Sequence, residues 1–255
     1  MIKRILQNIA PDFLLSYYKK KAYIHQIKDA DISDEPDLII AQKITSANST
    51  VIDIGSNIGL YVHFLSQQTK KIISFEPVPF TFDILLNNAR KFGWNNLEAH
   101  QIAISDNEGE TFIKVPIQSG VYNYFRATVS DQENGKGTSF KVYTKTIDSL
   151  FLNFNEPISL IKCDTEGHEL AVLKGAQQFL KTNRPAWLVE VSGNPDELQS
   201  EAYNVFKFLS KLDYTPYFFE EPVLKKRKKG DMSINYFFLQ ESHVRDLENS
   251  GIDIV

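Results

Sequence analysis

The chain of 255 residues holds one cysteine, Cys163, so it can form no internal disulfide and nothing in it calls for an oxidising compartment. No uninterrupted apolar stretch approaches the ~18 residues that read as a membrane span. There is no signal-peptide pattern either, and a cytoplasmic location is the expectation. Internal repeats and low-complexity tracts are absent. Positive charge is not in excess: the net charge is −4, which gives no electrostatic reason to expect a nucleic-acid partner. An N-P-P-Y-type motif is missing as well. The five histidines, His25, His63, His100, His168 and His243, are scattered and make no pair at ligand spacing. Asp164, Glu166 and Glu190 could converge on a divalent ion, but without a histidine pair no metal is expected. Also missing is the G-x-G-x-x-G fingerprint of dinucleotide sites.

What is present is a chain with 42% hydrophobic residues, enough for the core of one α/β domain with decorations. Its organising stretch is Val51 to Leu60, VIDIGSNIGL. Val51, Ile52 and Ile54 favour a strand, and Asp53 sits where that strand ends. Gly55 and Gly59 bracket a tight turn in which a side chain would push the backbone away from what lies above the strand. Ile58, Val62 and Leu65 then recur at helical intervals. A strand, a glycine turn and a helix N-terminus form a cofactor cradle at the carboxyl edge of a parallel sheet. The spacing Gly55-x-x-x-Gly59 offers no pyrophosphate site and suits a cofactor with an amino-acid tail. Glu76, in IISFEP, closes the next strand, where an acid takes ribose hydroxyls. The plain alternative is a βαβ unit with two surface acids.

Five motifs follow one another: VIDIGSNIGLY, FEPVP, AISDNEGE, TIDSL and LIKCDTEGHELAVLKGA. Together they resemble the FkbM family of S-adenosylmethionine-dependent methyltransferases, from about Thr50 to Val191. D-x-E-G-x-E followed by VLKG is the part that points to this family; the first two motifs alone mark only the class I methyltransferase fold. The resemblance implies S-adenosyl-L-methionine as cofactor, with Asp53, Gly55, Ser56, Asn57, Gly59, Glu76 and Asp106 around it. It implies an α/β, Rossmann-like class I methyltransferase with a mostly parallel seven-stranded sheet, helices on both faces and a closing strand pair of which one is antiparallel. The organisation expected is an N-terminal helical extension over 1–48, an FkbM-type methyltransferase domain over 49–241 and a C-terminal tail over 242–255.

Along the chain, residues 1 to 30 read as a helical arm with Ile2, Ile5, Leu6, Ile9, Phe13, Leu14 and Tyr17 on one face, broken or restarted at Pro11. Its basic residues, among them Lys3, Arg4, Lys19, Lys20, Lys21 and Lys28, are either a solvated face or a contact with a membrane surface or anionic carrier lipid. A second helix is expected over Glu35 to Thr45, capped by Ser33 or Asp34. Strands are expected at Thr50–Ile54, Lys71–Phe75, Leu97–Ile104, Ile158–Cys163 and Pro185–Val191, with helices between them. Asp106 either accepts from an adenine amino group or serves turn chemistry before Asn107-Glu108-Gly109. Thr111–Val115 and Ser139–Thr144 read as a strand pair. Gln118 to Gly137, with Tyr122, Tyr124, Phe125 and Arg126, is either a substrate lid for a sugar or other polyhydroxylated acceptor, or a surface hairpin. Leu170 to Leu180 reads as a helix, as does Asp196 to Leu212. Tyr214–Phe219 and Ile234–Leu239 would be the last strands, with Lys225–Lys229 a solvated hairpin loop or an anion contact.

Methyl transfer from a sulfonium is an in-line displacement whose leaving thioether needs no proton. The protein must align the reactants and, for a neutral hydroxyl, remove a proton. Asp164, Glu166 and His168 are the candidate catalytic residues. His168 titrates nearest neutrality, although it and Glu169 also suit helix capping. The function expected is O-methylation of a hydroxyl on a sugar, glycolipid or polysaccharide, or secondary metabolite. Nucleic-acid methylation and a non-catalytic scaffold are the alternatives.

Overall fold

The computed structural model describes residues 12–118, 121–130 and 137–255. The apolar positions expected at Ile2 to Ile9, and the side chains of Phe13, Leu14 and Tyr17, lie outside what is described. Helix α1 spans Asp12–Lys28, and the break or restart expected at Pro11 lies outside the described residues. A 3-10 turn, Ile32–Asp34, is capped by Asp31, and α2 (Asp37–Ile44) follows Pro36 with no side-chain cap from Ser33 or Asp34.

Strand and helix then alternate: β1 (Thr50–Ile54), α3 (Leu60–Leu65), β2 (Lys71–Phe75), α4 (Pro79–Phe92) and β3 (Leu97–His100). An excursion follows, with β4 (Ala103–Ile104), β5 (Gly109–Val115), β6 (Ile117–Gln118), β7 (Val121–Tyr122), β8 (Thr128–Ser130) and β9 (Thr138–Lys145). The second half has α5 (Ile147–Phe151), β10 (Ile158–Cys163), α6 (Glu169–Lys174), α7 (Phe179–Thr182), β11 (Ala186–Glu190) and α8 (Glu201–Ser210). It closes with β12 (Thr215–Glu220), β13 (Val223–Lys226), β14 (Asn235–Leu239), α9 (Glu241–Asn249) and β15 (Asp253–Ile254).

The main sheet runs β15-β13-β12-β14-β11-β10-β1-β2-β3. β3, β2, β1, β10 and β11 are parallel, and β14 is antiparallel to both its neighbours. The seven expected strands are therefore present, with the class I order and the reversed β14. The sheet is wider than expected, at nine strands. Lys225 and Lys226, expected in a hairpin loop, belong to β13, which pairs with β12 and buries Leu224. Asp253 and Ile254, expected in a tail, pair with β13. Residues 242–255 are thus built into the sheet and a packed helix. The basic run also changes character, because Lys225 pairs with Glu220 and Arg227 makes a bidentate pair with Asp196.

β1 is buried along its whole length, and β10 from Leu160 to Cys163. Both faces of the sheet are covered, as a parallel centre requires. Ile52, Ile54, Ile161, Trp187 and Val189 face one core, while Val51, Ile72, Leu160 and Leu188 face the other. The expected third strand ends early. At His100 the chain leaves the main sheet, and Ala103–Ile104 pairs with β9 to open a second sheet, β4-β9-β5-β8. The helix expected from Leu170 to Leu180 is broken after Lys174, where Gly175 packs on the Ser105 backbone. A Cβ there would lie 2.1 Å from the Ser105 carbonyl oxygen.

Gly175→Ala must therefore displace backbone. It is expected to lower stability by ~1–3 kcal/mol, read as a lower urea midpoint with an unchanged slope.

Candidate active site

The glycine turn after β1 is shaped by its neighbours within the chain. Gly55 has φ +78°, and a Cβ on it would sit 1.8 Å from the Asp164 carbonyl oxygen. Gly59 has φ +91°, and a Cβ there would meet Trp94 and Leu85 at 2.6 and 2.7 Å. Both positions need glycine for conformation and for space. Between them, Ser56 Oγ donates to the Asp53 carbonyl at 2.8 Å, and the Asn57 amide donates to Glu76 Oε2 at 2.9 Å.

Glu76 is buried at the end of β2. Its Oε1 accepts from the Val78 amide at 2.9 Å and from Thr81 Oγ1 at 2.8 Å. Burial pushes its pKa up to about 6, against those donors. Asp53 is 1% exposed, and among the described residues no donor lies within hydrogen-bond distance of either of its carboxylate oxygens. Its nearest cation is Lys162, paired with it across β1 and β10, with Nζ 3.8 Å from Oδ1. Burial raises the Asp53 pKa and Lys162 opposes that shift. Lys162 Nζ also lies 3.2 Å from Asp164 Oδ2 and 5.1 Å above the Tyr61 ring. Burial works against its charge, but Asp164 and Asp53 outweigh it and raise its pKa, so Lys162 is a fixed cation.

Two open cavities meet at this edge. One, of about 600 Å³, has apolar walls such as Phe75, Ile104 and Ile113 and is bordered by Glu76, Glu166 and His168. The other, of about 630 Å³, is polar, lined by Glu35, Asp53, Lys162, Asp164, Glu190 and Asn235 among others. Gly55, Asn57, Phe125 and Asp164 belong to both. Tyr124 stacks on Phe80 at 4.4 Å and Phe125 packs 5.4 Å from Tyr23 of α1. The described part of the loop expected as a lid therefore borders both cavities.

The loop after β10 is folded by Glu169, which is 4% exposed. Its Oε1 accepts from the Thr165 amide at 2.9 Å, Thr165 Oγ1 at 2.9 Å and the Gly167 amide at 3.1 Å. Glu166, at φ 53°, is directed to Arg126, with Nη1 donating at 2.9 Å. Burial raises the Glu166 pKa and Arg126 opposes it. Glu190, at the end of β11, has its pKa pushed up to about 7, by burial first and then by Asp164 and Glu166.

One carboxylate oxygen from each of Asp164, Glu166 and Glu190 lies within 4.8 Å of the others. A divalent ion could fit such a spacing, while Lys162 and Arg126 already sit against two of the three carboxylates.

The structure thus brings Asp164 and Glu166 together with Glu190 and leaves His168 apart from that group. The His168 Nε2 lies 2.9 Å from Ser105 Oγ, beside the apolar cavity. Asp106 is exposed and accepts from Ser105 Oγ and Asn107 Nδ2 in its own turn. Sequence reading missed Lys162, Glu35, Tyr61 and Asn235. Lys162 carried a signal: it is the one charged residue in the apolar run ISLIKC, which ends at the acidic loop.

The strand order and this glycine-acid edge define a class I methyltransferase fold. The chain belongs to the FkbM methyltransferase domain family, which matches residues 53–216, and its cofactor is S-adenosyl-L-methionine. Methyltransferase sdnD of Sordaria araneosa is 27% identical over 160 residues, covering 52% of this chain and 62% of that protein. The hexuronic acid methyltransferase AglP of Haloferax volcanii is 28% identical over 155 residues, covering 60% of each chain. The chain therefore spans about three-fifths of the length of these relatives. Among solved structures, methyltransferase FkbM of Methylobacillus flagellatus aligns at 16% identity and a TM-score of 0.47, covering 76% of this chain and 44% of that one. Aeropyrum pernix fibrillarin with bound S-adenosyl-L-methionine aligns at 11% identity and 0.44, covering 77% and 67%.

The residues present fit that cofactor. An apolar cavity ends on a carboxylate, and Asp53 and Asn57 carry buried side-chain oxygens without a donor among the described residues. An ionised carboxylate is purely an acceptor, so the ribose role expected for Glu76 from sequence calls for its ionised form. Affinity for S-adenosylhomocysteine, measured by calorimetry, is therefore expected to fall as pH drops through about 6. Glu76→Gln should bind weakly and lose that pH dependence.

Proposed function

We propose that the chain is an S-adenosylmethionine-dependent O-methyltransferase acting in the cytoplasm on a hydroxyl of a sugar, a glycolipid or polysaccharide, or a secondary metabolite. The observation that carries this reading is the junction of the two cavities. An apolar one ends on Glu76, a polar one is walled by acids, and Gly55 and Asp164 stand between them. AglP, a relative named for a hexuronic acid, adds support for a sugar acceptor.

In this reading Glu76 would hold the ribose hydroxyls and the apolar walls the adenine. Asp53 and Asn57, with their undonated oxygens, would hold the ammonium of the methionine tail. When bound, the sulfonium of the cofactor supplies the methyl group. Asp164 and Glu166 accept from acceptor hydroxyls and fix their direction, each held in place by a cation, Lys162 or Arg126. Such alignment accounts for roughly 7–11 kcal/mol of barrier in favourable cases. His168, anchored on Ser105, shapes the cofactor side of the junction. Phe125, Tyr124 and Tyr23 form a cover that keeps water from the reacting atoms.

The test is transfer of labelled methyl from S-adenosylmethionine to methyl glycosides of glucose, glucosamine and glucuronic acid. The expected product is a methyl ether that survives mild base. A base-labile ester on the glucuronoside would mean that a carboxylate, not a hydroxyl, is the acceptor. Normal cofactor binding with no transfer to any of the three would count against a hexose acceptor.

A further inference from the structure

Transfer of a methyl group to a neutral hydroxyl releases one proton, and the inference that follows rests on that proposed reaction. Most of the candidate groups around the junction are already committed. Lys162 is a fixed cation between Asp53 and Asp164 and has no lone pair to offer. Asp164 holds Lys162 at 3.2 Å, and Glu166 holds Arg126 at 2.9 Å. Asp53 is 1% exposed and, in the proposed reading, is taken by the ammonium of the cofactor. Glu35 accepts from Tyr61 Oη at 3.2 Å and from Asn235 Nδ2 at 3.4 Å. The His168 ring is engaged with Ser105 and borders the other cavity.

Glu190 differs from all of these. It lines the polar cavity, half-buried, on the last residue of a rigid central strand. Among the described residues, no hydrogen bond or salt bridge reaches its carboxylate, so its lone pairs are available. Its oxygen lies within 4.8 Å of those of Asp164 and Glu166, the groups placed to hold the acceptor.

We propose that Glu190 is the catalytic base that takes the proton of the acceptor hydroxyl. The acceptor O–H bond breaks and its proton passes to the Glu190 carboxylate. The oxygen's electron pair forms the O–CH3 bond while the S–CH3 bond breaks and its pair returns to sulfur. The proton then leaves Glu190 for water through the open cavity.

The charges around it suit this role. Asp164 and Glu166 on the β10 loop repel a second negative charge, and Lys162 and Arg126 temper that repulsion. Asn235 faces it from β14, and Glu35 adds a further carboxylate to the cavity wall. The outcome is a carboxyl group poised at about 7, where a base working near neutral pH is most effective.

Glu190→Gln keeps the shape and removes the base. With S-adenosylmethionine and whichever glycoside of the panel is methylated, kcat is expected to fall ~10²–10⁴-fold. The acceptor KM and the S-adenosylhomocysteine affinity should stay unchanged. Wild-type kcat/KM should fall tenfold per unit below about pH 7, and that acid limb should vanish in the variant. Glu190→Asp should recover part of the rate. Independently of turnover, carboxyl-carbon NMR of the wild-type protein with S-adenosylhomocysteine bound should contain a glutamate titrating near pH 7 that the Gln variant lacks. A Gln variant within tenfold of wild type overturns the proposal, as does a Glu190 resonance titrating in the ordinary range near ~4.3. Loss of the wild-type rate in EDTA with recovery in Mg2+ also overturns it, by giving the cluster to a cation. If no glycoside is methylated, the hexose-acceptor reading falls separately, and the NMR titration still decides the state of Glu190.

Discussion

A single close approach organises the edge of this sheet: the Asp164 carbonyl oxygen occupies the space that a side chain on Gly55 would need. β1 and β10 are neighbours, and the Asp164 amide donates to the Ile54 carbonyl at 3.0 Å, so pairing continues one step past the strands. The two loops that leave the strands are therefore in direct contact. Anything that moves the glycine turn moves the acidic loop with it. The shared wall of the two cavities is built on this contact, because Gly55 and Asp164 belong to it together with Asn57 and Phe125.

Beneath the contact lies a charge arrangement that stability alone does not explain. Lys162 is 8% exposed and Asp53 1%, and each loses several kcal/mol of hydration on burial. A well-packed apolar pair would fit a central parallel sheet at lower cost. Removing one partner of such a pair leaves a buried charge and costs ~3–5 kcal/mol. The arrangement makes sense as a fixed field: one permanent cation below the turn stands between Asp53 and Asp164 where the cavities open. The polar cavity owes its character to that lysine as much as to its acids.

How far all this could be read from sequence follows the range of the interactions involved. The boundaries of β1, β2 and β10, and the place of Glu76, came from apolar runs that stop at acids or glycines, which is local information. The class I strand order came with the family motifs. β13 was hidden because two of its four residues are lysines and read as the start of a charged loop, although Leu224 is fully buried. The third strand was drawn too long because nothing in LEAHQIAI says that its last residues change sheets. The helix after β10 stops at Gly175, where the Ser105 backbone, 70 positions away, leaves no room for a side chain. Register across strands was the largest gap: it puts Lys162 beside Asp53 and Asn235 beside Glu190. For His168, spacing put the residue on the acidic loop, but the contact of its ring with Ser105 was not legible in the sequence.

The family domain matches residues 53–216, yet the polar cavity draws Gln26, Glu35 and Asn235 from outside that span. Glu35 and Asp37 are tied to Asn235 by hydrogen bonds of 3.4 and 2.8 Å, so the two flanks meet each other across the cavity. One half of the junction is thus made by the common domain and part of the other by chain flanking it. Such a division ties the flanks to one another as a matched pair, apart from the glycine turn and its charge field, which lie within the common domain. A graft that carried only one flank would bring Glu35 without its Asn235, and would put an unsupported carboxylate into the wall it was meant to redesign.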